Sequence, residues 1–132
     1  MKLNETFQTS GVISRIYPKL PIKINDKDTF RWDFEIRRIW RDWYTGEDRL
    51  NYLHFCCYPS LFKKMDHIEV GDEVEVRFSI FGYERGVNMF QDVWDKRVFN
   101  WLYAVDIKIR EDTSFSIEEW RKRQAEMNGT ED

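Results

Sequence analysis

The chain has 132 residues, a length that suits one domain with a single core and is too short for two. Aromatic residues make up 17% of it and charged residues 34%, and no apolar run approaches the roughly 20 residues of a membrane span, so no membrane partner is expected. The net charge of -3 excludes a protein that holds nucleic acid by a strongly basic surface alone.

The charge is divided unevenly along the chain. Residues 1–110 contain 18 Lys or Arg and 17 Asp or Glu, whereas residues 111–132 contain 3 and 7. We therefore predict a near-neutral binding domain, 1–110, followed by a C-terminal helix and acidic tail, 111–132. Ser116 with Glu119 three residues later has the pattern of a helix-starting capping box. Any anion binding by the domain must rely on ring stacking and local arginines.

Five strands are predicted from the alternation of apolar and polar residues. The first covers residues 7–17, and its Gly11 indicates a bulge or sharp bend. The polar loop "KINDKD" leads to the second, residues 29–40. Since successive side chains on a strand point to opposite faces, the second strand is expected to place Phe30, Trp32, Phe34 and Ile36 in the core and Arg31, Asp33, Glu35 and Arg37 on the other face.

The remaining elements complete a recognisable order. The third strand is "LNYLHFCCY", residues 50–58, and a short helix follows in residues 60–68. In residues 70–84 a turn at Gly71 and Asp72 leads into the fourth strand, and a long loop, 84–97, leads to the fifth, residues 98–109. The order β-β-β-α-β-β predicts an all-β protein with one or two short helices: a five-stranded OB-fold barrel plus the C-terminal helix.

Four stretches carry a resemblance to a known family. "VGDEVEVRFSI" after "LFKKMDHI", with "WDFEI" on the second strand and "LHFCCY" on the third, resembles small OB-fold proteins of bacteria and their phages that bind single-stranded DNA. The match spans roughly residues 8–109. It implies largely sequence-independent binding of single-stranded DNA in replication, recombination or repair. The insertion "GVNMFQDVWDK" departs from the family's shorter loop, and the ending "GTED" lacks the apolar tip that recruits partners in the classical bacterial members.

The compartment follows from the cysteines and the N-terminus. Cys56 and Cys57 are adjacent, and neighbours on a strand rarely bridge, so a reducing compartment is expected. The start "MKLNETFQTSG" lacks the apolar segment of a signal peptide. With the resemblance, these features indicate the cytoplasm of a bacterial cell or a phage-infected host.

Catalytic and metal chemistry find little support in the sequence. His54 and Cys56 fall on one face of a strand, but only His67 could join them, whereas a zinc site needs about four ligands. No residues mark a positioned nucleophile with its base and oxyanion site, and no phosphate-binding loop motif is present. We therefore expect neither an enzyme nor a cofactor.

Rings and cations are concentrated where an OB barrel binds nucleic acid, on its second and third strands and the loops that frame them. Beyond Ile36 the hairpin is too long to stay over a small core, so its rings are expected outside, where they need a partner. Rings would stack on bases, at about 1–3 kcal/mol each, and cations would neutralise phosphates. The candidates are Arg37, Arg38, Trp40, Arg41, Trp43 and Tyr44 on this hairpin, Tyr52, His54 and Tyr58 on the third strand, and Phe81, Tyr83, Arg85, Phe90, Trp94, Lys96 and Arg97 in or beside the long loop.

Other uses of the same residues stay open at this point. Trp40 and Trp43 could fold back to cap the barrel or be buried in a dimer interface. The protein could then be an interaction module that forms a homo-oligomer or docks replication or recombination proteins. RNA could replace DNA as the ligand, because the stacking chemistry is shared. The acidic tail could compete with nucleic acid for the basic residues.

Overall fold

Six strands and one helix form most of the described chain. The structure is a computed structural model that describes residues 5–91, 93–110 and 121–126. Residues 121–126 are helical, whereas the capping box predicted at Ser116 and Glu119 lies outside the described residues. No helix within the described ranges is long and apolar enough to cross a membrane. The elements are β1 (Phe7–Ile16), β2 (Leu20–Ile24), β3 (Lys27–Arg41), β4 (Asp48–Cys57), α1 (Pro59–Met65), β5 (Glu73–Phe90) and β6 (Val93–Ile109).

Five of the strands close into a barrel. β1 pairs with β3 and with β5, β5 pairs with β6, and β3 pairs with β4, all antiparallel. The parallel pairing of β4 with β6, at Phe55–Leu102 and Cys56–Tyr103, closes the ring. With α1 between β4 and β5, this is the predicted five-stranded OB-fold barrel.

Gly11 marks the point at which β1 changes partner. β1 pairs with β5 from Phe7 to Val12 and with β3 from Val12 to Ile16, so both partners meet it next to Gly11. A Cβ atom on Gly11 would lie 2.6 Å from the carbonyl oxygen of Arg37, so only glycine allows this approach of two backbones. The pairing register shifts between Ile13 and Arg15, which confirms the predicted irregularity of the first strand.

The core lies inside the barrel and under α1. Phe34 and Phe55 are fully buried and stack with ring centres 5.2 Å apart. Leu61 and Met65 of α1 close one end of the core. Trp32 packs edge-on against Phe62, as expected for a core residue, and its indole N–H donates to the carbonyl oxygen of Tyr17 at 2.8 Å.

The start of β3 differs from the sequence prediction. Part of the expected loop "KINDKD" is β2, which pairs with the beginning of β3 through a turn at Asn25 and Asp26. Both turn residues have positive φ, a conformation that Asn and Asp tolerate. Phe30 was predicted in the core, but it is 46% exposed because this part of β3 extends past the barrel to pair with β2.

The prediction of a long loop at residues 84–97 is wrong. These residues continue β5 and β6 as a paired hairpin up to Phe90 and Val93. Gly82, Gly86 and Asn88 resemble loop residues in the sequence, but each sits within the ladder. Isolated glycines were therefore given too much weight as indicators of a loop in the sequence prediction.

Two hairpins project from the barrel. We call residues 38–51 the β3–β4 arm and residues 79–101 the β5–β6 arm. Because β4 and β6 run parallel, the turns that precede them lie at the same end of the barrel. At about 3.4 Å per residue, β5 continues for roughly 40 Å beyond Phe78, its last partner of β1.

Candidate nucleic-acid interface

An open groove crosses the outer face of the barrel and leads onto the β5–β6 arm. Its volume is about 970 Å³. Cys56 and Tyr103 are register partners on β4 and β6, and Phe81 and Trp101 are partners on β5 and β6, which brings three strands to one face. We call this surface the aromatic groove and define it by Arg31, Cys56, Tyr58, Phe81, Trp101 and Tyr103.

Rings follow one another from the barrel to the arm. Tyr58 and Tyr103 stack with their centres 5.2 Å apart and their planes at 27°. Farther along the face, Tyr83 lies 6.2 Å from Phe81 and 5.9 Å from Phe99, both in stacked geometry. The face therefore offers successive planar surfaces along its length.

Arginines lie against these rings. The guanidinium carbon of Arg31 is 4.6 Å from the centre of the Trp101 ring, and that of Arg85 is 5.1 Å from the centre of Phe99. Both distances are within the range of a cation–π contact. The groove thus combines flat apolar surfaces with positive charge.

Beside the aromatic groove lies a carboxylate with two partners. Asp33 accepts a hydrogen bond of 2.9 Å from Nε of Arg31, and its other oxygen lies 2.8 Å from Nε2 of His54. The His54 ring lies 5.2 Å from that of Tyr17, and the guanidinium of Arg15 lies 4.6 Å from the Tyr17 ring centre. A depression of about 340 Å³ beside His54 and Tyr17 shares Arg31 with the aromatic groove, so the two cavities adjoin.

The two thiols are buried and chemically quiet. Burial, together with the negative charge of Asp33, raises the pKa of Cys56, on the groove floor, to about 11. Burial also raises the pKa of Cys57 to about 12, and its thiol donates to the carbonyl oxygen of Trp32 at 3.2 Å. In the parts of the chain that the structure describes, no three His, Cys, Asp or Glu side chains are grouped so as to hold a metal ion.

The outward side of β4 agrees with the sequence prediction. Phe55 and Cys57 face the core, whereas Tyr52 is 52% exposed and His54 lies in the face just described. Tyr58, at the end of β4, borders the aromatic groove, and burial raises its pKa and that of Tyr103. Both tyrosines are therefore neutral rings near pH 7.

The predicted residues of the long loop divide between the two faces of the β5–β6 arm. Phe81 and Tyr83 lie on the groove face, and Arg85 is directly opposite Arg97 on that face. Trp94 and Lys96 lie on the opposite face, where Trp94 packs over Gly86. Phe90 is at the tip, beyond a register shift, and is 69% exposed.

The predicted residues of the β3–β4 arm also divide between two faces. Arg37 is opposite Tyr52, on the outer face of the sheet, together with Arg41. Arg38, which donates to the Thr9 hydroxyl, and Trp40 lie on the other face.

The tip of the β3–β4 arm presents rings within a paired charge cluster. Trp43 is 94% exposed and Tyr44 is 97% exposed, so neither caps the barrel. Nε of Arg41 donates to Asp48 at 2.9 Å, and this hydrogen bond raises the pKa of Arg41 and lowers that of Asp48. The arginine predicted to neutralise phosphate here already has a carboxylate partner.

Sequence reasoning missed several residues of this face. Phe99, Trp101 and Tyr103 alternate along β6, and the same alternation of Phe81 and Tyr83 on β5 was the signal that could have paired them. Treating residues 84–97 as a loop hid that register. The structure adds Arg31, Tyr17, Phe99, Trp101 and Tyr103 to the candidate interface.

The comparisons with known proteins give structural relatives only. No protein-family model and no curated protein matches the sequence. The mitochondrial single-stranded DNA-binding protein Rim1 of S. cerevisiae is 12% identical and has a TM-score of 0.56, over 83% of this chain and 98% of that one. Plasmodium falciparum SSB in complex with ssDNA is 15% identical and has a TM-score of 0.50, over 84% and 97%. The chain therefore has the OB fold of these single-stranded DNA-binding proteins, as the sequence resemblance predicted.

Proposed function

We propose that the protein binds single-stranded DNA, largely independently of sequence, along the aromatic groove and the groove face of the β5–β6 arm. One observation carries the proposal: rings and guanidinium groups share one open face that runs from the barrel onto the arm. The relatives whose names state binding of single-stranded DNA have the same fold, and this supports the choice of ligand.

Stacking is the main source of affinity in this proposal. A body with 18 basic and 17 acidic residues in positions 1–110 has no global field to hold phosphates. Each base offers a π-face to a ring, and such a contact contributes about 1–3 kcal/mol whatever the base. Binding of this kind tolerates any sequence, and it requires unpaired bases because paired bases are stacked within the duplex.

The proposal extends to a role in DNA replication, recombination or repair, in the cytoplasm of a bacterial cell or a phage-infected host. The sequence resemblance supports this part. Protection or presentation of exposed strands is the step that a sequence-tolerant binder serves in each of these processes. RNA remains the comparison ligand because the stacking chemistry is common to both nucleic acids.

A protein-interaction module, including one that forms a homo-oligomer, is the second candidate function. The tip of the β3–β4 arm favours it, because Trp43 and Tyr44 are almost fully exposed there. Both arginines beside the tip face carboxylates, Arg41 with Asp48 and Arg49 with Glu47. Rings without free cations suit a protein surface better than a phosphate backbone.

Fluorescence anisotropy with a labelled oligo-dT across salt concentrations tests the main proposal. With about two to four phosphate contacts, the slope of log K against log salt should lie between roughly −1.4 and −2.8. Absence of binding at low salt would reject strand binding and leave the interaction module, which sedimentation with and without oligonucleotide would then test. Oligo-U of the same length reports the preference between DNA and RNA.

A further inference from the structure

We propose that Arg31 is a base-stacking residue and not a phosphate-binding one, and that Asp33 is the positioning residue that holds its guanidinium over the Trp101 ring. This inference rests on the proposed function, since it assigns roles within the same site. It explains why the arginine shared by the aromatic groove and the adjoining depression is paired with a carboxylate, although the proposed ligand is an anionic strand.

The contacts of Arg31 fix the orientation of its guanidinium group. The guanidinium carbon of Arg31 is 4.6 Å from the centre of the Trp101 ring. Nε and Nη2 of Arg31 reach the two oxygens of Asp33, at 2.9 and 3.4 Å. A two-point contact defines the plane of the guanidinium as well as its position. Guanidinium planes of this kind accept stacked bases as aromatic rings do.

Asp33 is itself held in place. His54 lies 2.8 Å from its second oxygen, and the backbone N–H of Tyr17 donates to its carbonyl oxygen at 3.0 Å. The side chain of Asp33 is only 14% exposed, against 24% for Arg31. Asp33 is therefore the more buried partner, which orients the guanidinium, and Arg31 is the partner more accessible to a base.

The charge balance points the same way. Because the carboxylate of Asp33 compensates the charge of Arg31, the pair attracts a phosphate weakly. The planar guanidinium of Arg31 can still stack on a base, because pairing with Asp33 does not change its shape. Arg85 offers a matched contrast, since it lies over Phe99 but has no carboxylate within ion-pair distance among the described residues. Arg85 is therefore expected to contact phosphate.

Two substitutions separate the roles of charge and plane. Arg31→Lys keeps the positive charge and loses the plane, so oligo-dT affinity should fall about five- to 150-fold, the range of one lost stack, with an unchanged salt slope. Asp33→Asn removes a negative charge, which by electrostatics alone would tighten the binding of an anionic strand. We expect instead that binding becomes weaker, by threefold or more, because the guanidinium of Arg31 loses the carboxylate that orients it. Arg85→Gln should make the slope of log K against log salt shallower by about 0.7, the value for one single-strand phosphate contact.

The outcomes distinguish this inference from the proposed function. Wild-type affinity of Arg31→Lys, a shallower salt slope for Arg31→Gln, or tighter binding by Asp33→Asn would each overturn the stacking role and leave strand binding intact. A wild-type protein that binds no oligonucleotide would overturn both. Far-UV circular dichroism and thermal melts of each variant show whether the barrel is intact, and Glu35→Gln, which removes another carboxylate from the same face of β3, controls for charge alone.

Discussion

Trp101 and Trp94 lie on the same strand, β6, but on opposite faces of the β5–β6 arm. Trp101 pairs with Phe81 on the groove face, whereas Trp94 pairs with Asn88 on the other face and packs over Gly86. This arrangement offers two indoles in one hairpin, of which only one is near the proposed strand.

Trp101→Ala should therefore weaken binding of oligo-dT, whereas Trp94→Ala should not. Trp101 is the ring over which the Arg31 guanidinium lies, so its loss removes the support of one base stack, worth about 1–3 kcal/mol, and we expect at least a fivefold rise in Kd for the first variant. Anisotropy titrations of both variants at one salt concentration measure this. Equal losses in the two variants would mean that the strand does not follow the groove face.

The exposed tip of the β3–β4 arm should contribute only to the binding of long strands. Trp43 is 94% exposed and is not among the residues that line the groove. We expect Trp43→Ala to leave the thermal stability unchanged, because exposed side chains contribute little to folding. Its affinity for an oligonucleotide that fits the groove should equal that of the wild type, and its affinity for one several times longer should be lower. If the variant also binds the long strand with wild-type affinity, the tip does not contact DNA, and its rings are then expected to bind a protein partner.

The sequence predicted the barrel but not the shape of the candidate binding face. Alternation identified β1, β3 and β4 within a few residues, because one face of each strand is buried and the other is not. The β5–β6 arm has no such contrast, because exposed apolar residues occur on both of its faces, as Phe81 and Val98 show. Its glycines then had the appearance of a loop.

The sequence prediction named some of the rings on the candidate face and missed others, because it lacked the pairing of the β5–β6 arm. Tyr58, Phe81 and Tyr83 were found because they are rings next to recognisable strand ends. The contact of Arg31 with Trp101 joins β3 to β6, and no local pattern contains a contact between residues so far apart in the chain. Pairing register, which sets the face of every side chain on an arm, depends on the partner strand and had to come from the structure.

Gly11 should be among the positions least tolerant of a side chain. A Cβ atom there would meet the carbonyl oxygen of Arg37 at 2.6 Å, and backbone oxygen cannot rotate away as a side chain can. We expect Gly11→Ala to lower the free energy of unfolding by about 1–3 kcal/mol, the usual cost of overpacking. Gly86→Ala is the matched control, since its nearest neighbour is 3.8 Å away. Urea denaturation of both variants measures the difference, and equal stabilities would show that β1 does not approach β3 so closely.

The buried thiols give a prediction for alkaline pH. Burial raises the pKa of Cys56 to about 11 from an ordinary value of 9.0, and that of Cys57 to about 12. At pH 8 the thiolate fraction of Cys56 is then about a hundredfold lower in the folded than in the unfolded chain, and the rate of reaction with a thiol reagent should fall at least as much.

The same shift sets the sign of the pH dependence of stability. Between pH 9 and about 11 the unfolded chain loses thiol protons that the folded chain retains, so folding stability is complete below pH 9 and declines above it. Reaction with a chromogenic disulfide, with and without denaturant, should detect two slow thiols in the native protein and two fast ones after unfolding. The Cys56→Ser variant should show one slow thiol in the native protein and one fast thiol after unfolding. Rapid reaction of a single thiol in the native protein at pH 8 would contradict the burial of Cys56 beneath the aromatic groove.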